Sequence, residues 1–102
     1  MIEFITLSDI SENIQVEESD IQFANAYVSK LVEGKNYETT DEFLKELAKI
    51  IALERAYLRL SQSEESVYLE KANAYEKLRK SMEEKLKKTL SIPTFELKIR
   101  RA

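Results

Sequence analysis

Two periods run through the apolar positions of this chain. Over most of its length they recur every three or four residues, the spacing of a helix face; near the C-terminus they recur every second residue, the spacing of a strand. Thr6 followed by Asp9 has the form of a capping box opening a short helix, with Ile10 and Ile14 on its inner side. QVEESD reads as a loop, after which Ser19 or Asp20 caps a second helix whose Ile21, Ala24, Val28, Leu31 and Val32 share one face. Gly34, the only glycine, stands where a helix end calls for left-handed backbone. KNYETT is a polar connection, and Thr39 with Glu42 forms a second capping box.

The next two helices are long. From Asp41 to Leu60, the apolar residues Phe43, Leu44, Leu47, Ile50, Ile51, Leu53, Tyr57, Leu58 and Leu60 cover most of the circumference, which predicts a central helix packed on more than one side. A last helix begins at Ser63. Its Tyr68, Ala72, Tyr75, Leu78, Met82, Leu86 and Leu90 form one stripe, flanked by the i,i+4 pairs Glu76–Lys80, Glu83–Lys87 and Glu84–Lys88. Helical to Leu90, it measures on the order of 40 Å. That exceeds its partner, so Met82, Leu86 and Leu90 are expected to overhang the bundle, and Pro93 forbids continuation.

The closing SIPTFELKIRRA is an extended arm with Phe95, Leu97 and Ile99 on one face and Glu96, Lys98 and Arg100 on the other. A lone strand cannot satisfy its backbone or bury that face. It pairs with EFITL near the N-terminus, stays unordered in the isolated protein, or adds to a neighbouring subunit. The expected architecture is therefore all-α: a compact bundle of about four helices, two short and two long, over residues 1–90, with the arm at 91–102.

Composition narrows the class. At 102 residues, 43% apolar and 34% charged, the chain supports one small ordered domain with a modest core. No apolar run approaches the roughly 20 residues of a membrane span, and MIEFITL lacks the features of a signal peptide. Absence of cysteine fits an intracellular protein. The net charge of −3 is unevenly spread: six Lys/Arg face fifteen Asp/Glu through Glu70, and ten face four from Lys71 onward. A dipolar chain of this kind suits head-to-tail contact between copies, although lysines on a solvated helix face are the simpler account.

Chemistry finds little to hold. Without histidine or cysteine there are no thiol nucleophiles, histidine bases or common zinc sites, and one glycine leaves no phosphate-cradling loop. The carboxylates Glu17, Glu18, Asp20, Glu64 and Glu65 match no calcium loop and suit helix N-termini. No enzyme, cofactor or metal is expected. Lys85, Lys87, Lys88, Lys98, Arg100 and Arg101 would allow contact with DNA phosphates as a secondary feature, but there is no stacking platform and no recognition helix. Two charges in the central helix stand out. Glu54 falls among Phe43, Leu47, Ile51 and Leu58, and Arg55 between Leu44 and Ala48. Such charges pair within the chain, snorkel to the edge, or pair across a subunit boundary.

The segments FITLSDI, DIQFANAYVSKLVE, LKELAKIIALERAYLRL and SVYLEKANAYEKLRKSMEEKL, in that order, resemble the small head–tail connector or head-completion proteins of tailed phages and prophages, the Mu-like prophage type above all. Ala48, Ala52 and Tyr57 on the central helix, then Tyr68, Lys71, Ala72, Tyr75 and Leu78 on the last, carry the resemblance, which spans about residues 4–90. It implies a virion protein without catalytic residues, found in the virion or the host cytoplasm, that forms a ring with itself and meets portal, tail or stopper proteins. On that view Phe95, Leu97 and Ile99 anchor an interface and Lys98, Arg100 and Arg101 steer it. The other expectation is a non-viral helical adaptor or regulator that dimerises through its long C-terminal helix.

Overall fold

A computed structural model describes residues 2–11, 14–35, 37–38, 40–62 and 66–91, the side chains of 66 and 89–91 excepted. Its elements are a 3₁₀ turn (Leu7–Asp9) and the helices α1 (Glu18–Leu31), α2 (Glu42–Ser61) and α3 (Ser66–Ser91). The all-α expectation holds, with the first of the four helices reduced to a single turn. The predicted C-terminal arm lies outside the described residues, and among those residues there is no strand.

The 3₁₀ turn, α1 and α2 each start for a local cause. The Thr6 N–H donates to Asp9 Oδ2 at 2.8 Å, closing the 3₁₀ turn as the Thr6–Asp9 spacing predicts. α1 begins ahead of the expected cap: Asp20, its third residue, accepts from the Glu17 N–H at 2.9 Å, so Glu17 is the N-cap. At α2 the cap is Asp41, whose Oδ1 accepts from the Leu44 N–H at 3.1 Å, rather than Thr39 with Glu42. Gly34 ends the turn after α1 with φ +76, the left-handed backbone that its sequence position calls for.

α2 is the central helix. Leu44, Leu47, Ala48, Ile50, Ile51, Ala52, Leu53, Ala56 and Tyr57 are buried around nearly its whole girth. α1 packs antiparallel on one side, with Asp20 at its start bound to Arg59 at the end of α2. On another side lies α3, also antiparallel, so that Tyr57 stacks on Tyr75 at 5.6 Å and Glu54 meets Arg79. α1 and α3 therefore run parallel to each other, and they meet through Tyr27 and Glu83.

The N-terminal segment straps a third side. Phe4 and Ile5 are 2% and 1% exposed, inside the main core. Ile10, Ile14 and Val16 pack on a second cluster of Leu53, Tyr57 and Ala72. Asn25, in the middle of α1 and 1% exposed, fastens the strap. Its Oδ1 accepts from the N–H groups of Phe4 at 2.8 Å and Ile5 at 3.1 Å, and its Nδ2 donates to the Ile5 carbonyl at 3.0 Å. One side-chain amide here substitutes for a neighbouring strand. Three backbone groups of EFITL, the N–H of Phe4 and both groups of Ile5, are thereby held by a side chain of α1.

Met82 and Leu86 correct the expected overhang. Both are 8% exposed and belong to the main core with Val28, Val32, Leu44 and Leu47. The reason is register: with Glu54 opposite Arg79 on antiparallel helices, Met82 stands level with Ile51 and Leu86 with Leu47. α2 therefore reaches this part of α3, and Val28 and Val32 close the same cluster. Leu78, placed on the buried stripe by spacing, is instead 45% exposed at the stripe's edge, and Arg79 holds the central position.

Candidate interaction surface

Because α1 and α3 meet at Tyr27 and Glu83, they leave a groove between them over the C-terminal half of α2. Ile51, Glu54, Arg55 and Leu58 form its floor, with Phe23 and Tyr27 on the α1 side and Arg79 on the α3 side, around about 180 Å³. A polar knot closes its inner end. Arg79 Nε donates to Glu54 Oε1 at 2.6 Å, and Arg79 Nη1 to Glu83 Oε2 at 2.5 Å and to the Tyr27 hydroxyl at 3.1 Å. Tyr27 in turn donates to Glu83 Oε2 at 3.0 Å. Burial opposes the charge on Arg79, yet the hydrogen bonds to Glu54 and Glu83 outweigh it and hold the guanidinium protonated beyond its ordinary range. Burial, followed by the Glu83 carboxylate, pushes the Tyr27 phenol up from its usual value. Glu54 thus finds its partner within the chain, on α3, and needs none from another subunit.

The outer end of the groove is different in kind. Phe23 and Leu58 are 40% and 41% exposed. The Arg55 guanidinium lies 4.1 Å from the centre of the Phe23 ring, and its Nε is 3.8 Å from Asp20 Oδ1. That carboxylate is already committed. Both its oxygens accept from Arg59 Nη1, at 2.7 and 2.6 Å, and Oδ2 also takes the Glu17 N–H. The hydrogen bond to Asp20 raises the pKa of Arg59, whose Nη2 also donates to the Gln15 carbonyl at 2.9 Å. Arg55 is left stacked on an aromatic ring with its side chain half exposed.

Of the residues predicted for an interface, Glu54 and Arg55 line this groove, Glu54 paired with Arg79 at its inner end and Arg55 at its mouth. Met82 and Leu86 are core residues, Leu90 lies in the last turn of α3, and Phe95, Leu97, Lys98, Ile99, Arg100 and Arg101 lie outside the described residues. A second cleft, about 390 Å³, opens between the C-terminal ends of α1 and α3, lined by Leu31, Lys35, Leu86 and Lys87 among others. Sequence reasoning missed Phe23, Arg79 and Asn25, and placed Asp20 at a helix start without its arginine partner. Each had a signal: Phe23 is an aromatic on the polar side of α1, and the other three are polar residues on an otherwise apolar stripe.

Among the described residues no helix is long and apolar enough to cross a membrane, and no three His, Cys, Asp or Glu residues gather as a metal site. Compared with known protein families, curated proteins and solved structures, the chain finds no match in any of the three.

Proposed function

We propose that this protein is a structural assembly subunit of the head–tail junction of a tailed phage or prophage, joining copies of itself into a ring. The observation that carries the reading is the groove mouth: an exposed aromatic, an exposed leucine and a half-exposed arginine stacked together on a rigid helical base. Aromatic residues and arginine dominate the energetics of protein contacts, and a site on packed helices holds its shape before the partner arrives. The uneven charge of the chain supports a contact between unlike surfaces, the kind that closes a ring by rotation. Burial of Met82 and Leu86 counts against the adaptor that dimerises through α3, because it removes two of the three side chains that contact would use.

Light scattering behind a sizing column, on the full chain and on one ending at Leu90, tests the assembly. Discrete oligomers of the full chain that truncation dissolves, visible as rings by electron microscopy, support it. A monomer at every concentration refutes it. The viral setting is tested separately: a neighbouring gene for a portal, major capsid protein or tail tube supports it, and a neighbouring toxin or transcription factor speaks against it.

A further inference from the structure

The groove mouth has a chemistry that selects its occupant. Its floor and one wall are apolar, through Ile51, Leu58 and Phe23, and its rim carries Arg55. Among the described residues the Arg55 guanidinium has one carboxylate near it, at 3.8 Å, and that carboxylate is already held by Arg59. The site therefore takes a segment with apolar side chains on one face and a carboxylate beside them. Just past the groove, at the start of α1, stand Glu17 and Glu18, so the same segment should carry positive charge further on. Residues 92–102 fit both demands: Phe95 and Leu97 flank Glu96, the segment's only carboxylate side chain, and Lys98, Arg100 and Arg101 follow.

Reach decides whose segment it is. With α2 and α3 antiparallel and Glu54 opposite Arg79, Arg55 and Leu58 stand level with about Leu78 and Tyr75 of α3. Ser91 lies roughly 20 to 24 Å further along that helix at 1.5 Å per residue. Phe95 follows Ser91 by only four residues, which span at most about 14 Å when fully extended. A chain's own Phe95 therefore stops short of its own Arg55 and Leu58 at the groove mouth, and a neighbour's is under no such limit.

We infer that the groove between α1 and α3 receives the C-terminal segment of a second copy of this chain, with Phe95 and Leu97 on Ile51, Leu58 and Phe23, and Glu96 on Arg55. The segment leaves one end of the subunit and the groove opens toward the other, so the contact is head-to-tail and repeats from copy to copy. The inference rests on the self-assembly part of the proposed function and is independent of the viral setting.

The chain has no native cysteine, so engineered ones report single pairs. Leu58→Cys protein mixed with Phe95→Cys protein and oxidised should give a covalent dimer in far higher yield than Leu69→Cys with Phe95→Cys, Leu69 being an exposed position on α3. Both changes in one chain should link between chains rather than within one. Arg55→Glu should weaken self-association about tenfold or more, the effect of losing one central contact, and Glu96→Arg in the same chain should restore it, which a folding defect would not permit. Oligomers that cross-link no better than the control pair, or that ignore the charge exchange, overturn the inference and leave self-assembly standing. Links only within single chains overturn the second-copy assignment. A protein monomeric throughout removes the inference and the assembly reading together.

Discussion

Replacing Asn25 with alanine isolates the side chain that binds the backbone at the start of the N-terminal strap. In the folded protein its amide satisfies three backbone groups, the N–H of Phe4, the N–H of Ile5 and the carbonyl of Ile5, at a site that is 1% exposed. A buried polar group left unpaired costs about 1–3 kcal/mol, so three of them left in place would cost about 3–9 kcal/mol. The chain has a cheaper response. It can peel the strap away and expose Phe4 and Ile5, each losing about 1.5–3 kcal/mol of burial. The smaller cost governs, and Asn25→Ala should destabilise the protein by about 3–5 kcal/mol, a large fraction of a typical domain's stability. Urea unfolding measures the loss, and hydrogen exchange identifies its route: the amides of Phe4 and Ile5 should lose protection at urea concentrations that leave α2 protected. A loss under about 1 kcal/mol, with both amides still protected, would refute the clamp.

Other perturbations test other joints. Arg79→Met leaves Glu54 and Glu83 buried beside no cation and should cost about 3–5 kcal/mol, whereas adding Glu54→Leu and Glu83→Gln should recover most of it; calorimetry on the series checks the coupling. Leu86→Ala should cost about 2–4 kcal/mol in chemical unfolding because Leu86 is a core residue; no change would restore the overhanging helix. The Tyr27 phenol has a folded-state pKa above its ordinary value of 10.0, so the fold favours the neutral form. Its contribution is fully present below pH 10 and is lost as pH rises from there through the folded value. Tyr27→Phe should flatten that alkaline fall in melting temperature, and an unchanged slope would assign the fall to other groups.

The long helices could be read from the sequence because their apolar spacing is long and regular, and α2 announced its central place by being apolar almost all round. What stayed hidden depended on the register between helices. Spacing along α3 shows that Met82 and Leu86 share a stripe, but not that Ile51 and Leu47 of α2 stand opposite them, with Val28 and Val32 closing the cluster. Leu78 and Arg79 show the same limit: about 100° apart around the helix, they fall at the edge and the centre of the buried stripe, where Glu54 on another helix offers Arg79 a charge. Asn25 was readable only as an oddity on α1, since its partners are backbone groups twenty residues earlier. At the groove, Arg55 was identified by its place on the central helix. Phe23 was missed because exposure, unlike spacing, is decided by what fails to pack over a residue.

The strap also sets an order of events during synthesis. Phe4 and Ile5 leave the ribosome well before Met82 and Leu86, which belong to the core that receives them, and Ile10, Ile14 and Val16 need Tyr57 and Ala72. At typical elongation rates the nascent chain carries an uncovered apolar segment for about 3–15 s before its binding surface is complete. The strap is made before the helices that receive it and settles after them, and until then it is open to chaperones or to the strap sites of other nascent chains.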